Sequence, residues 1–202
     1  MLHITALMDN KPTEHKALIA EHGLSMYLSY NGRRILFDCG SGPNSVGNAR
    51  KLGIDLSGLD AVVLSHSHYD HAAGFRFLIE QGLGSKQLYT GPGFFEPKYA
   101  RGGVRYTNLS AGFDRAFLED HGISCRQVDG LLEIFPGIYL ISGFPGVNPM
   151  ETIPERFVRL TEAGFVPDDF CDEICLAVEV EGGLAVLVGC SHPGILNMVG
   201  HV

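Results

Sequence analysis

The run His66-Ser67-His68-Tyr69-Asp70-His71 places three imidazoles and one carboxylate directly behind the apolar stretch Ala61-Val62-Val63-Leu64. Imidazole nitrogens and carboxylate oxygens are ligands of zinc and of other divalent metals. His66 and His68 are two residues apart, so on an extended segment both rings point the same way and can reach one ion. Asp70 shares that alternation and His71 breaks it. If the chain turns into a helix there, Asp70 and His71 can serve a second ion beside the first, and two such ions activate a bridging water. The plain alternative is a solvated polar loop. Four ligand-type side chains within six residues, behind a buried strand, weigh against it. The spacing therefore suits two metal ions sharing a wall; zinc is the expected ion, with manganese or iron as other divalent candidates. Asp70 would orient the water and accept its proton.

The elements that must position this run are readable in outline. Ser25 to Tyr30 alternates apolar and polar residues, ends at Asn31-Gly32 and resumes as Arg34 to Asp38, which predicts a β-hairpin. Cys39-Gly40-Ser41-Gly42 forms the exit turn. A short helix is expected from Ser45 to Leu52, closed by Gly53, and another from Gly74 to Gln81, stopped by Gly82. Between them, 61–64 reads as a buried strand. Gln87 to Tyr89 is a brief strand, and Phe94 to Asn108, rich in Gly, Pro, Arg and Tyr, reads as irregular surface. Strands follow at 131–135 and 138–141 around Pro136-Gly137, and at 174–181 and 184–188 around Gly182-Gly183. A strand-to-helix turn at 189–194 leads into a helix from Ile195. Alternating strands and helices imply an α/β architecture.

The motif Ser65-His66-Ser67-His68-Tyr69-Asp70-His71 resembles the signature of the metallo-β-lactamase fold superfamily, and Leu36-Phe37-Asp38-Cys39-Gly40 resembles that superfamily's first motif, a strand ending in Asp-x-Gly. The resemblance implies an αββα sandwich over residues 1–202, short at its C-terminal end. It also implies that Asp38 supports the metal-site loop from behind the ligands; by itself Asp38 also reads as a turn residue. A narrower resemblance, to the dihydropterin-ribofuranosylaminobenzene phosphate synthase-like subgroup, rests on Glu21-His22-Gly23-Leu24-Ser25, Asp168-Asp169 with Asp172-Glu173, and Gly189-Cys190-Ser191-His192-Pro193-Gly194. It implies the same fold used in a transfer reaction of pterin biosynthesis.

The chain also departs from the superfamily pattern. Phe144 stands where a Gly-His is common, and Cys190 where a bridging acid is common. A Cys190 thiolate would suit zinc, yet cysteine is also among the most buried residue types, so both readings stay open. His192, two residues on in a Gly- and Pro-rich turn, is the preferred additional ligand, against a surface turn histidine. His201 does not fit the place of the final histidine. The expected function is hydrolysis, with a metal-activated water attacking an ester, thioester or phosphoester. The alternatives are the synthase-like transfer and a non-catalytic, metal-binding, truncated relative.

Other candidates carry less weight. Glu21-His22 either lines the site or is a plain surface pair. Asp9-Asn10 reads as a turn, and Gly91-Pro92-Gly93 as a turn rather than a lid. Cys171 and Cys175 lack the spacing of a zinc knuckle and read as structural. Arg101, Arg105 and Arg115 could meet a phosphorylated substrate but read first as a solvated face. His3, His15 and His121 are isolated. The chain has 202 residues, 45% of them hydrophobic and 19% charged, which is globular composition. A net charge of -8 without a basic block argues against a nucleic-acid partner. No signal segment or membrane span is visible, and five scattered cysteines suit a reducing cytoplasm. The expected partner is a small-molecule substrate, phosphorylated or not, with homo-oligomerisation left open.

Overall fold

Most apolar runs become strands, and the glycines that punctuate them become turns, in the computed structural model, which describes residues 1–202. In chain order the first elements are β1 (Leu2–Met8), β2 (Ser25–Tyr30), β3 (Arg33–Phe37), α1 (Asn44–Lys51), β4 (Ala61–Val63) and α2 (Tyr69–Ala72). Next come α3 (Gly74–Glu80), β5 (Gln87–Thr90), β6 (Lys98–Gly102), β7 (Arg105–Asn108), α4 (Arg115–Asp120) and β8 (Ser124–Gln127). The remainder are β9 (Leu131–Phe135), β10 (Ile138–Ser142), β11 (Phe157–Thr161), β12 (Gly164–Pro167), β13 (Ile174–Val180), β14 (Gly183–Leu187) and α5 (Ile195–His201). The chain divides into two compact units. The first holds residues 1–64, 68–89 and 111–126; the second holds 65–67, 90–110 and 127–202.

The first unit is built on a six-stranded sheet in the order β1-β2-β3-β4-β5-β8. Asn31 and Gly32 take φ of +48° and +79°, the left-handed pair of a two-residue hairpin turn, and pair Tyr30 with Arg33. β3, β4 and β5 run parallel. Ala61, Val62, Val63 and Leu64 are wholly buried, which explains why this run shows no alternation. α3 supplies Phe75 and Leu78 to the core. Its first residue must be glycine, because a Cβ on Gly74 would strike the main-chain carbonyl of Cys39. α4 begins where the Asp114 carboxylate accepts the Phe117 amide at 2.9 Å, an ordinary N-cap.

The second unit holds two four-stranded sheets, β14-β13-β10-β9 and β12-β11-β6-β7. β13 and β14 form the expected hairpin, although its turn is Glu181-Gly182, with Val180 opposite Gly183. Met198 of α5 packs with Ile141, Cys175 and Ala177, and Phe144 leans on that cluster. The start of α5 is held by Glu151, whose carboxylate accepts the amides of Leu196 and Asn197 at 2.9 and 2.8 Å.

One expectation is overturned. Residues 94–97 are irregular, but 98–108 are not: β6 and β7 form a hairpin there, and β6 pairs with β11, Tyr99 facing Val158. Arg, Gly and Tyr break the period-2 pattern, and the partner strand lies more than fifty residues downstream, so no local signal exists. The hairpin is fixed on its face by Tyr106 stacking on Phe165, with centroids 4.1 Å apart. None of the five cysteines is in a disulfide. No helix is long and apolar enough to cross a membrane.

Candidate metal centre

In the first unit the chain leaves β3 through Asp38, a buried non-glycine residue at φ +58°. Three contacts hold it there. Its amide donates to the Val63 carbonyl at 2.9 Å, its carbonyl accepts the Ser25 hydroxyl at 2.9 Å, and its carboxylate accepts Nδ1 of His71 at 2.6 Å. Cys39 follows, its amide on the His71 carbonyl at 2.7 Å. The turn after β3 is thereby stitched to α2, which carries Tyr69, Asp70, His71 and Ala72. His68 precedes α2 in extended backbone and is buried. Asp38 is thus hydrogen-bonded to the ring of His71, a candidate ligand.

Asp38 also fixes the tautomer of His71. With Nδ1–H donated to a carboxylate, Nε2 of the neutral ring is an acceptor. That nitrogen lies 3.4 Å from Oδ2 of Asp70, which is itself an acceptor. Two facing acceptors need a cation or a proton between them, so the pair suits a metal ion or an imidazolium. Nε2 of His22 reaches the same Asp70 oxygen at 3.2 Å. Burial works against ionisation of Asp70, but the hydrogen bond and charge of His71, then His22, hold its carboxyl below the usual carboxylate range. His22, read from sequence as either a site residue or a surface pair, therefore touches a candidate ligand.

In the second unit three donors converge. A ligand atom of His66, the thiol of Cys190 and a ring nitrogen of His192 all lie within 4.8 Å of one another. That spread suits one ion at about 2.0–2.3 Å from each donor, and a nitrogen–sulfur–nitrogen set favours zinc. The residues present fit a metal. His66 and His192 meet edge-on at 5.0 Å, Phe170 stacks on His192 at 3.9 Å, and Phe157 meets His192 edge-on at 5.1 Å. Cys190 and His192 border a cleft of about 390 Å³ that also touches Met150, Glu151 and Pro154.

The backbone here differs from the expected extended segment. Residues 65–67 form a bend. After Leu64 the backbone partners change: the Ser65 carbonyl accepts the Ile174 amide at 2.8 Å, and the Ser67 amide donates to Asp172 at 2.9 Å. The shared direction of His66 and His68 assumed a strand that stops at Val63.

The remaining candidates lie elsewhere. Burial pushes the Cys175 thiol up to about 12 and the Cys171 thiol up to about 11, so both stay protonated at neutral pH. Burial, then the charge of Asp38, raises Cys39 as well. Arg101 and Arg105 sit exposed on the β6–β7 hairpin and Arg115 opens α4. His121 closes that helix with Nδ1 on the Phe117 carbonyl at 2.8 Å. Asn10 accepts the Gly23 amide at 2.9 Å, a loop contact. Nothing in the sequence pointed to Phe170, which packs on the rings of His66 and His192, or to Lys98, which lies against Phe170.

The profile of the Metallo-beta-lactamase superfamily matches residues 19–84, the span from the loop before β2 to the residue after α3 and its turn. A solved structure of a metal-dependent hydrolase of the beta-lactamase superfamily superposes with a TM-score of 0.80 at 30% identity, covering 98% of this chain and 69% of that one. The chain belongs to the metallo-β-lactamase superfamily. The α/β fold implied by the SHSHYDH motif is the fold observed. An uncharacterized protein of Methanocaldococcus jannaschii is 31% identical over 97% of this chain and 72% of its own length. From the same organism, 7,8-dihydropterin-6-methyl-4-(beta-D-ribofuranosyl)-aminobenzene-5'-phosphate synthase is 28% identical over 89% of this chain, which spans 64% of that protein. The narrower resemblance is thus also present.

Proposed function

We propose that this chain is a metal-dependent hydrolase acting on an ester, thioester or phosphoester of a small molecule. The observation that carries the reading is the convergence of His66, Cys190 and His192 within 4.8 Å. These three would hold one ion, with zinc the best match to their donors; Asp70 and His71 would serve a second, and His68 completes the ligand-type residues of the run. A divalent ion supplies Lewis acidity, polarising an acyl or phosphoryl oxygen and acidifying water.

The chain's own groups then have distinct tasks. Asp38 keeps His71 in the tautomer whose Nε2 is a lone pair. Asp70, held ionised, orients a water and accepts its proton. His22, two-thirds exposed and 3.2 Å from that carboxylate, passes the proton to solvent. Phe157 and Phe170 keep the His192 ring in an apolar surround.

A second reading, transfer in pterin biosynthesis, is favoured by the similarity to the dihydropterin synthase. One experiment addresses both. Protein loaded with zinc or manganese is assayed on a panel of esters, thioesters and phosphoesters, and on a dihydropterin with a phosphorylated aminobenzene riboside. Hydrolysis lost in His192→Ala and kept in His121→Ala is the expected result. Transfer without hydrolysis selects the second reading. Bound metal without turnover of any substrate refutes both.

A further inference from the structure

We infer that the segment Asp168–Glu173 is the bracket that places His66 and His192 for metal, with Asp172 and Glu173 as its positioning residues. The inference rests on the reading of His66, Cys190 and His192 as a metal site, and assigns work to acids outside that set. Both carboxylates are wholly buried, and neither belongs to the donor group. A buried carboxylate is costly unless hydrogen bonds or charges compensate it. Here the compensating groups are the Lys98 ammonium on Asp172 and the backbone that carries the ligands.

His66 is gripped on both sides. Oδ2 of Asp172 accepts the Ser67 amide at 2.9 Å, and the Ile174 amide donates to the Ser65 carbonyl at 2.8 Å. Between those two anchors Glu173 faces the other ligand segment. Its Oε1 accepts the Ser191 amide at 2.9 Å and its Oε2 the His192 amide at 3.3 Å. Ser191 has φ +58°, an unfavourable conformation for a non-glycine residue, and it turns the two successive amides toward one anion. Three consecutive residues, 172 to 174, therefore hold the backbones of His66 and His192 at once.

The bracket is itself braced. Lys98, only 2% exposed, donates from Nζ to the other oxygen of Asp172 and, at 3.3 Å, to Oδ1 of Asp168. Asp168 accepts the Phe170 amide at 2.9 Å, holding Phe170 at φ +51°, where its ring stacks on His192. The Lys98 ammonium sits 4.7 Å from the ring centre of Phe170. Gly91 lets the chain pass against Asp172, since a Cβ there would strike the Asp172 carbonyl. Ring plane, backbone position and main-chain direction of His192 are all set from this one segment.

The test is metal affinity and ligand field in the full chain. Zinc affinity is measured by competition with a chromophoric chelator, and cobalt is added to record the visible spectrum of the bound ion. Glu173→Gln keeps the size of the side chain but loses one of two acceptor oxygens. It is expected to bind zinc about 10- to 100-fold more weakly, the range typical of groups that orient ligands, and to shift the cobalt spectrum. Phe170→Leu leaves both carboxylates in place and is expected to weaken zinc severalfold. If Glu173→Gln does not fold, Phe170→Leu decides. Wild-type affinity and an unchanged cobalt spectrum in the folded variants overturn the inference, whatever their melting temperatures. Failure of the wild type to take up either metal overturns the metal reading itself.

Discussion

Asp38→Asn isolates the contact that sets the tautomer of His71. Asn tolerates the left-handed conformation that Asp38 adopts at φ +58°, so the backbone is kept; Ala would add strain of about 1–2 kcal/mol. The change removes a charge from a 2.6 Å hydrogen bond at a fully buried site. Hydrogen bonds to charged groups contribute about 1.5–3 kcal/mol and neutral ones about 1, so the metal-free protein should lose about 1–2 kcal/mol. For a chain of this size that is a fall of roughly 2–8 °C in the melting midpoint. An amide can also turn its NH₂ toward Nδ1, which forces the ring proton onto Nε2 and blocks metal ligation there. Zinc affinity should then fall about 10- to 100-fold, or about 1.4–2.7 kcal/mol. Chelator competition reads the affinity, and thermal unfolding in EDTA reads the stability. An Asn variant with wild-type affinity and midpoint would refute the role given to Asp38.

Gly74→Ala should destabilise the fold by about 1–3 kcal/mol in urea unfolding, because the new methyl group meets the Cys39 main chain and not a movable side chain. A loss below about 0.5 kcal/mol would show that the crossing relaxes easily. Alkaline pH should weaken the protein. Burial alone would push the Lys98 ammonium down, yet the charges of Asp172 and then Asp168 raise it. A raised lysine contributes its full stabilisation below the unfolded value of about 10.4 and loses it as pH climbs through the folded value. Unfolding free energies flat from pH 8 to 11.5 would contradict that placement of Lys98.

Local signals carried much of the fold. Asn31-Gly32 announced its hairpin, Gly53 and Gly82 marked helix ends, and the unbroken apolar run 61–64 marked a strand buried on both faces. β1, β8, α4 and the sheet of β6, β7, β11 and β12 were not legible. In that sheet Val158 meets Tyr99, and pairing between segments so far apart leaves no local period. The donors of the candidate centre were legible because their chemistry is in their side chains. Asp172 and Glu173 were visible only as members of a resembling motif, since the atoms they hold are main-chain amides, which every residue has. Lys98 carries no signal of its own in the sequence, yet it is buried against two acids. The bend at 65–67 was hidden for a similar reason: its hydrogen-bond partners sit far along the chain.

That distance sets an order of events. Ser67 and Asp172 are 105 residues apart, and closing a loop of that length costs about 4 kcal/mol of chain entropy before any contact forms. During synthesis the ribosome releases the SHSHYDH stretch long before the acids that grip it. A nascent chain therefore carries the signature before the contacts that shape the bend exist. The bend around His66 is defined only after residues 172 to 174 have emerged.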